Sequence, residues 1–226
     1  MPLSDRDYMK PSPPPRRRIW TGRSNNSFLQ DPVLVIIAIN LVIFIAAVIS
    51  REVLVTYNGV PVGVMYKLNY YLGLIPNALG ERPWTIITNM FAHEGFWHIF
   101  GNMFTLFFFG RVVNQLVGSK RFLLLYFIGG ILGNLLYIWL GAPNSIAIGA
   151  SGAIYAIAGA LVMMMPRLPV RLYFLIPMPL WVVVLVFFVG WSFIPGVAWQ
   201  AHLGGLAVGL IAGFFFRRRM RHISYR

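Results

Sequence analysis

The sequence predicts an all-α membrane protein: a bundle of six transmembrane helices with a long interfacial first loop. Three observations lead there. Of 226 residues, 58% are hydrophobic and only 11% charged, well below the roughly 25% charged usage of soluble domains. The apolar residues gather in blocks near the ~20-residue length that crosses a hydrocarbon core of about 30 Å. The basic residues that make the net charge +13 sit outside those blocks, in the pattern of a topology signal and not of a nucleic-acid surface, so no nucleic-acid partner is expected.

Taken in order, residues 1–31 form a polar basic arm. Pro11, Pro13, Pro14 and Pro15 run into Arg16, Arg17 and Arg18, with no apolar core and small-residue cleavage site of a signal peptide. A disordered cytoplasmic segment held near anionic lipid is expected there. A six-span domain over residues 32–216 follows, built from apolar blocks 32–49, 96–117, 122–140, 146–165, 172–191 and 199–216, and then a basic cytoplasmic tail over 217–226. In the second block, Arg111, Asn114 and Gln115 near the end imply a wet cytoplasmic terminus with Arg111 snorkelling. Between the first and second blocks lie about 45 residues, long enough to expect a function. Tyr66, Tyr70, Tyr71, Leu72, Trp84 and Ile86 make this segment apolar, so short interfacial helices are expected.

Orientation follows from the loops, since short connections rich in Lys and Arg stay cytoplasmic. With the N-terminus inside, all basic residues except Arg51, Lys67 and Arg82 fall on the cytoplasmic side. Both termini are therefore expected in the cytoplasm, in a multi-pass protein of the plasma membrane. The absence of cysteine excludes disulfides and thiolate chemistry. Nothing in the pattern calls for a metal or an organic cofactor, and nothing defines an oligomeric state.

Polar groups inside a span are costly and tend to mark function. The candidates among those in the blocks are His98, Asn102, Asn134, Ser151 and His202. His98 and Asn102, four apart, share one helix face, as do Ser151 and Tyr155. At ~1.5 Å per residue, His202 lies roughly 5 Å and Asn102 roughly 9 Å below the outer ends of their blocks, with Ser151 at a similar depth. Gly205, Gly209 and Gly213 repeat every four residues in the sixth block, and Gly152, Ala156 and Ala160 in the fourth, which lets the two backbones approach closely. Asn134 reads as a packing residue.

A serine and a histidine brought together make an activated hydroxyl: the imidazole takes the proton during attack and returns it to the leaving group. No block contains Asp or Glu, so another group must orient His202, and the ring of Tyr155 is a candidate for stacking. Donors for an oxyanion are available in His98, Asn102 and the Ser151 N–H. Gly149 and Gly152 flank the serine and permit a tight backbone turn.

These residues resemble the rhomboid family of intramembrane serine proteases over residues 32–216. His93-Glu-Gly-Phe-Trp-His98-Ile-Phe-Gly-Asn102 resembles the family's second-span pattern, Gly149-Ala-Ser151-Gly152 with Tyr155 its nucleophile motif, and Ala201-His202-Leu-Gly-Gly205 with Gly209 its sixth-span histidine motif. The resemblance implies a Ser151–His202 dyad, oxyanion stabilisation by His98 and Asn102, a cavity open to the exterior, and cleavage of single-span membrane substrates near their external ends. Two places depart from the pattern. Trp84-Thr85 stands where many members have Trp-Arg, with Arg82 two residues earlier, and Asn114 stands where many carry Glu. Loop anchoring is expected to differ at the first and a structural contact at the second. The competing readings are a catalytically silent relative that binds membrane clients, which would normally have lost Ser151 or His202, and a transporter, which would need carboxylates near the midplane.

Overall fold

The computed structural model describes residues 30–57, 59–172 and 176–224. Most of the basic arm expected over residues 1–31 lies outside them. Helix α1 spans Pro32–Ile49, with proline in its first turn, and the Asp31 carboxylate caps it by accepting the Val33 N–H at 3.0 Å. Asp31 also pairs with Arg111 at 3.5 Å, tying the start of α1 to the basic end of the second long helix.

The connection that follows is more structured than its composition suggested. Strands β1 (Glu52–Tyr57) and β2 (Val60–Tyr66) form an antiparallel hairpin. Its signal was present in Asn58-Gly59 between valine-rich runs. Two short helices follow, α2 (Lys67–Leu72) and α3 (Thr85–Thr88). The Arg82 guanidinium donates to the Tyr70 carbonyl at 2.8 Å and lies 4.6 Å over the Tyr70 ring. Trp84 donates to the Tyr71 carbonyl at 3.2 Å. Arg82 thus provides an anchor of the loop at the first departure from the family pattern.

Helix α4 (Phe96–Val117) contains a π-helical turn over Leu106–Gly110. Near its end the Asn114 Oδ1 is buried without a hydrogen-bond partner among the described residues, at the second departure. Gly118, at φ +84°, reverses the chain into α5 (Ser119–Leu140); the left-handed conformation suits glycine.

The fourth and fifth apolar blocks do not form helices over their whole length, which corrects the sequence-based expectation. Helix α6 covers only Ser151–Met164, 14 residues, because Gly149 at φ +123° interrupts the block. Strand β3 (Pro169–Leu172), which ends where the fifth block begins, pairs with β4 (Ile176–Pro179) inside the block before α7 (Leu180–Ser192) begins. Pro177 and Pro179 hold their predecessors extended and delay the helix. Helix α7 has its own π-helical turn over Val184–Val189. Helix α8 runs Trp199–Ser224, so the tail expected to begin at 217 starts as helix. Among the described residues, α1, α4, α5 and α8 are long and apolar enough to cross a membrane.

Helix α6 is the hub. Every residue from Gly152 to Leu161 is buried, and the helix is apolar on all sides, as a fully enclosed helix must be. Its main partners are α8 and α5. Along α8, a methyl group at Gly205 would overlap the Gly152 carbonyl, one at Gly209 the Ala156 carbonyl, and one at Gly213 would lie 2.6 Å from the Ala160 oxygen. The four-residue ladder read in the sequence is thus the contact line between α6 and α8.

Candidate active site

Because α6 begins at Ser151, this serine occupies the first turn of a helix and not the interior of a span. The first N–H groups of a helix lack intrahelical acceptors and carry the positive end of its dipole. Gly149 sets this geometry: its N–H donates to the Asn89 carbonyl at 2.9 Å, while Ala147 exchanges backbone hydrogen bonds with Leu74 at 2.8 and 3.0 Å. The approach to Ser151 is therefore held by the connection between α1 and α4.

Asn89, which the sequence reading did not single out, is buried. It exchanges side-chain hydrogen bonds with Asn134 at 3.1 and 2.8 Å, and Asn134 also donates to the Ile86 carbonyl at 2.8 Å. Asn134 is thus a structural clamp between α5 and the segment that holds Gly149.

On α8, the His202 Nε2 lies 2.7 Å from the Ser151 Oγ. Close packing at Gly205 and Gly152 makes this distance possible, since each lies within one turn of the reacting residues. The Tyr155 ring stacks on the imidazole with centroids 4.1 Å apart and planes inclined at 18°. The Tyr155 hydroxyl donates to the Phe188 carbonyl at 2.6 Å, so the ring that flanks His202 is itself fixed to α7. Ser192, at the end of α7, is buried and places its Oγ 3.3 Å from His202 Nδ1. It falls one residue beyond the fifth apolar block, so polarity within the blocks does not mark it.

His98 approaches from α4. Its Nδ1 accepts the Glu94 N–H at 3.4 Å, so in the neutral ring Nε2 carries the hydrogen. A Cβ at Gly149 would lie 2.7 Å from that Nε2 and 3.6 Å from the Ser151 Oγ, so the His98 donor and the serine hydroxyl border the same small space at Gly149. Asn102 is buried, and its amide donates to the His98 carbonyl at 2.9 Å. It sits one turn further along α4 and makes no hydrogen bond to Ser151 among the described residues, while its amide carries a second hydrogen. His93, outside the span, is fully buried, with its ring 5.1 Å from that of His98. Burial, and secondarily the neighbouring His98, holds its pKa down at about 3.

Chemically, the arrangement offers a hydroxyl hydrogen-bonded to an imidazole, with donors from a helix N-terminus and a second imidazole to one side. Among the described residues, no group of three or more His, Asp or Glu side chains is placed to hold a metal ion.

The rhomboid domain family matches residues 80–219 of the chain. Rhomboid protein 1, mitochondrial, of Saccharomyces cerevisiae is 31% identical over 154 residues, 59% of this chain and 42% of that protein. The putative rhomboid protease YdcA of Bacillus subtilis is 36% identical over 95 residues, 42% of this chain and 46% of that protein. Rhomboid protease GluP of the same organism is 33% identical over 135 residues, 58% of this chain and 25% of that protein. Each match spans less than half of the relative. The family match covers more than half of the present chain and takes in Ser151, His202, His98 and Asn102; the chain is a multi-pass membrane protein of the rhomboid family.

Proposed function

We propose that the chain is an intramembrane serine endopeptidase that hydrolyses peptide bonds in or near the transmembrane segments of single-span membrane proteins. The observation that carries this reading is the 2.7 Å contact between Ser151 Oγ and His202 Nε2, flanked by the stacked Tyr155 ring. His202 removes the hydroxyl proton as Ser151 attacks the scissile carbonyl, then delivers it to the leaving amine. A water molecule hydrolyses the acyl-enzyme by the reverse proton path. The Ser151 N–H, the His98 Nε2–H and the Asn102 amide stabilise the oxyanion, and Gly149 leaves the substrate carbonyl room to approach them.

The protease domain comprises residues 32–216, with α6 and α7 completing a six-span bundle, in the plasma membrane with both termini cytoplasmic. The distribution of basic residues supports that orientation, and relatives named as proteases support the activity. Substrate access requires displacement of α7 or of the turn after it, where Pro195 and Gly196 lie and Gly196 has φ +86°.

The test is cleavage of a labelled single-span substrate by the full chain in liposomes, comparing wild type with Ser151→Ala and His202→Ala. Loss of cleavage in both variants is expected. Cleavage that survives both removes the dyad, and failure of the wild type on several substrates favours client binding.

A further inference from the structure

We infer that Ser192 is a positioning residue that receives the His202 Nδ1–H and so selects the imidazole tautomer able to accept the Ser151 proton. The inference rests on the protease reading of the Ser151–His202 pair. A neutral imidazole carries one hydrogen on either ring nitrogen, and only the Nδ1–H form presents a lone pair at Nε2. In serine hydrolases that form is selected by a partner at Nδ1. No carboxylate occupies the apolar blocks of this chain, and Tyr155, which stacks on the ring, contacts its face and leaves Nδ1 open to another group.

Ser192 is the group placed there. Its Oγ is 3.3 Å from Nδ1, 3.0 Å from the Phe188 carbonyl and 3.1 Å from the Tyr155 hydroxyl oxygen. A serine has a single hydroxyl hydrogen. The Phe188 carbonyl and the Tyr155 oxygen are both closer acceptors for it than Nδ1. Tyr155 cannot supply the hydrogen that Ser192 then accepts, because its own is committed to Phe188 at 2.6 Å. The donor left to fill the Ser192 lone pair is His202 Nδ1–H. A relay results: Ser151 O–H to Nε2, Nδ1–H to Ser192, and Ser192 O–H to Phe188 or Tyr155, with no charged member.

A serine near a helix end ordinarily bonds its own i−4 carbonyl, and Ser192 makes that contact too. What distinguishes the two roles is the effect on His202. Phe188 lies in the π-helical turn of α7, a feature found often at functional sites. The Phe188 carbonyl is the common acceptor for Tyr155 and Ser192, so α7 supports both the face and the Nδ1 edge of His202.

The experiment uses the full chain in liposomes, as wild type, Ser192→Ala and Ser192→Thr. It records kcat and KM on a labelled single-span substrate, thermal unfolding, and the ring 15N shifts of His202 in histidine-labelled protein, assigned with His202→Asn. The expected result is Nδ1–H in the wild type and a shift toward Nε2–H in Ser192→Ala. With it, kcat should fall roughly 10- to 100-fold at constant KM, and Ser192→Thr should recover most of the loss. An Nε2–H tautomer in the wild type overturns the proposal, and so does a Ser192→Ala enzyme with unchanged kcat and tautomer. A wild type that cleaves nothing sinks the protease reading, while the ring shifts still decide the role of Ser192.

Discussion

Replacing Gly205 by alanine tests whether the reactive geometry depends on the approach of α6 and α8. The added Cβ would overlap the Gly152 carbonyl oxygen and lie 2.9 Å from its carbonyl carbon, where ordinary contact begins at 3.4 Å. The listener on the other side is backbone, which has no rotamer to yield, so the helices have to part by about 1 Å. Gly205 is one turn from His202, and Gly152 adjoins Ser151, so this displacement passes almost undiminished to the 2.7 Å contact. At about 3.7 Å it is no longer a hydrogen bond. A misplacement of that size costs about 100-fold in rate, and overpacking costs roughly 1–3 kcal/mol of stability. Initial cleavage rates in liposomes and thermal unfolding in detergent measure the two effects. The control is Gly101→Ala on α4, where a Cβ meets open space and both quantities should hold or stability rise slightly. Wild-type cleavage and an unchanged melting temperature in Gly205→Ala would refute the reasoning.

Three other outcomes are expected. Tyr155→Phe keeps the ring on His202 but removes the bond to the Phe188 carbonyl, so cleavage should fall less than about 10-fold, whereas Tyr155→Leu should cost more; equal rates in the two variants would exclude a role for stacking. Burial lowers the His93 pKa to about 3 from 6.5, so the unfolded chain takes up the proton first. Stability present above pH 6.5 is therefore lost on acidification between 6.5 and 3, by up to about 1.4 kcal/mol per pH unit. Unfolding measured from pH 7 to 4 should show this slope, and His93→Gln should flatten it. Arg82→Ala removes the bond to the Tyr70 carbonyl and the contact over its ring, and should destabilise the protein by roughly 1–3 kcal/mol in thermal unfolding. No change would remove Arg82 as the anchor.

The parts legible in the sequence were those carried by a simple period. The four-residue spacing of small residues in the fourth and sixth blocks pointed to one contact line, and α6 and α8 meet along it. Ser151 and His202, 51 positions apart, face each other because they sit at its N-terminal end. Hydropathy was less informative where backbone chemistry competes with it. An apolar run does not reveal that Gly149 takes a positive φ, nor that Pro177 and Pro179 hold the chain extended, so α6 and α7 came out shorter than their blocks. The aromatic content of the connection masks the hairpin of β1 and β2, although Asn58-Gly59 marks it. Ser192 lies one residue beyond the fifth block and Asn89 lies in the long connection before the second, so polarity within the blocks marks neither, and only the folded chain brings them beside His202 and Asn134.

The ladder between α6 and α8 also raises a question of register. Small residues repeat every four positions on both helices, so sliding one past the other by a turn would again set small against small over much of the seam. The pattern alone therefore fits more than one alignment. Its ends discriminate: a slip one way brings Arg217 opposite Ala160, and the other way brings Met164 opposite Gly213, each placing a long side chain where the backbones touch. The Tyr155 ring under His202 adds a third pin, since it has no counterpart one turn along. The residues that would carry the chemistry are thus also among those that tell the two helices where to stop.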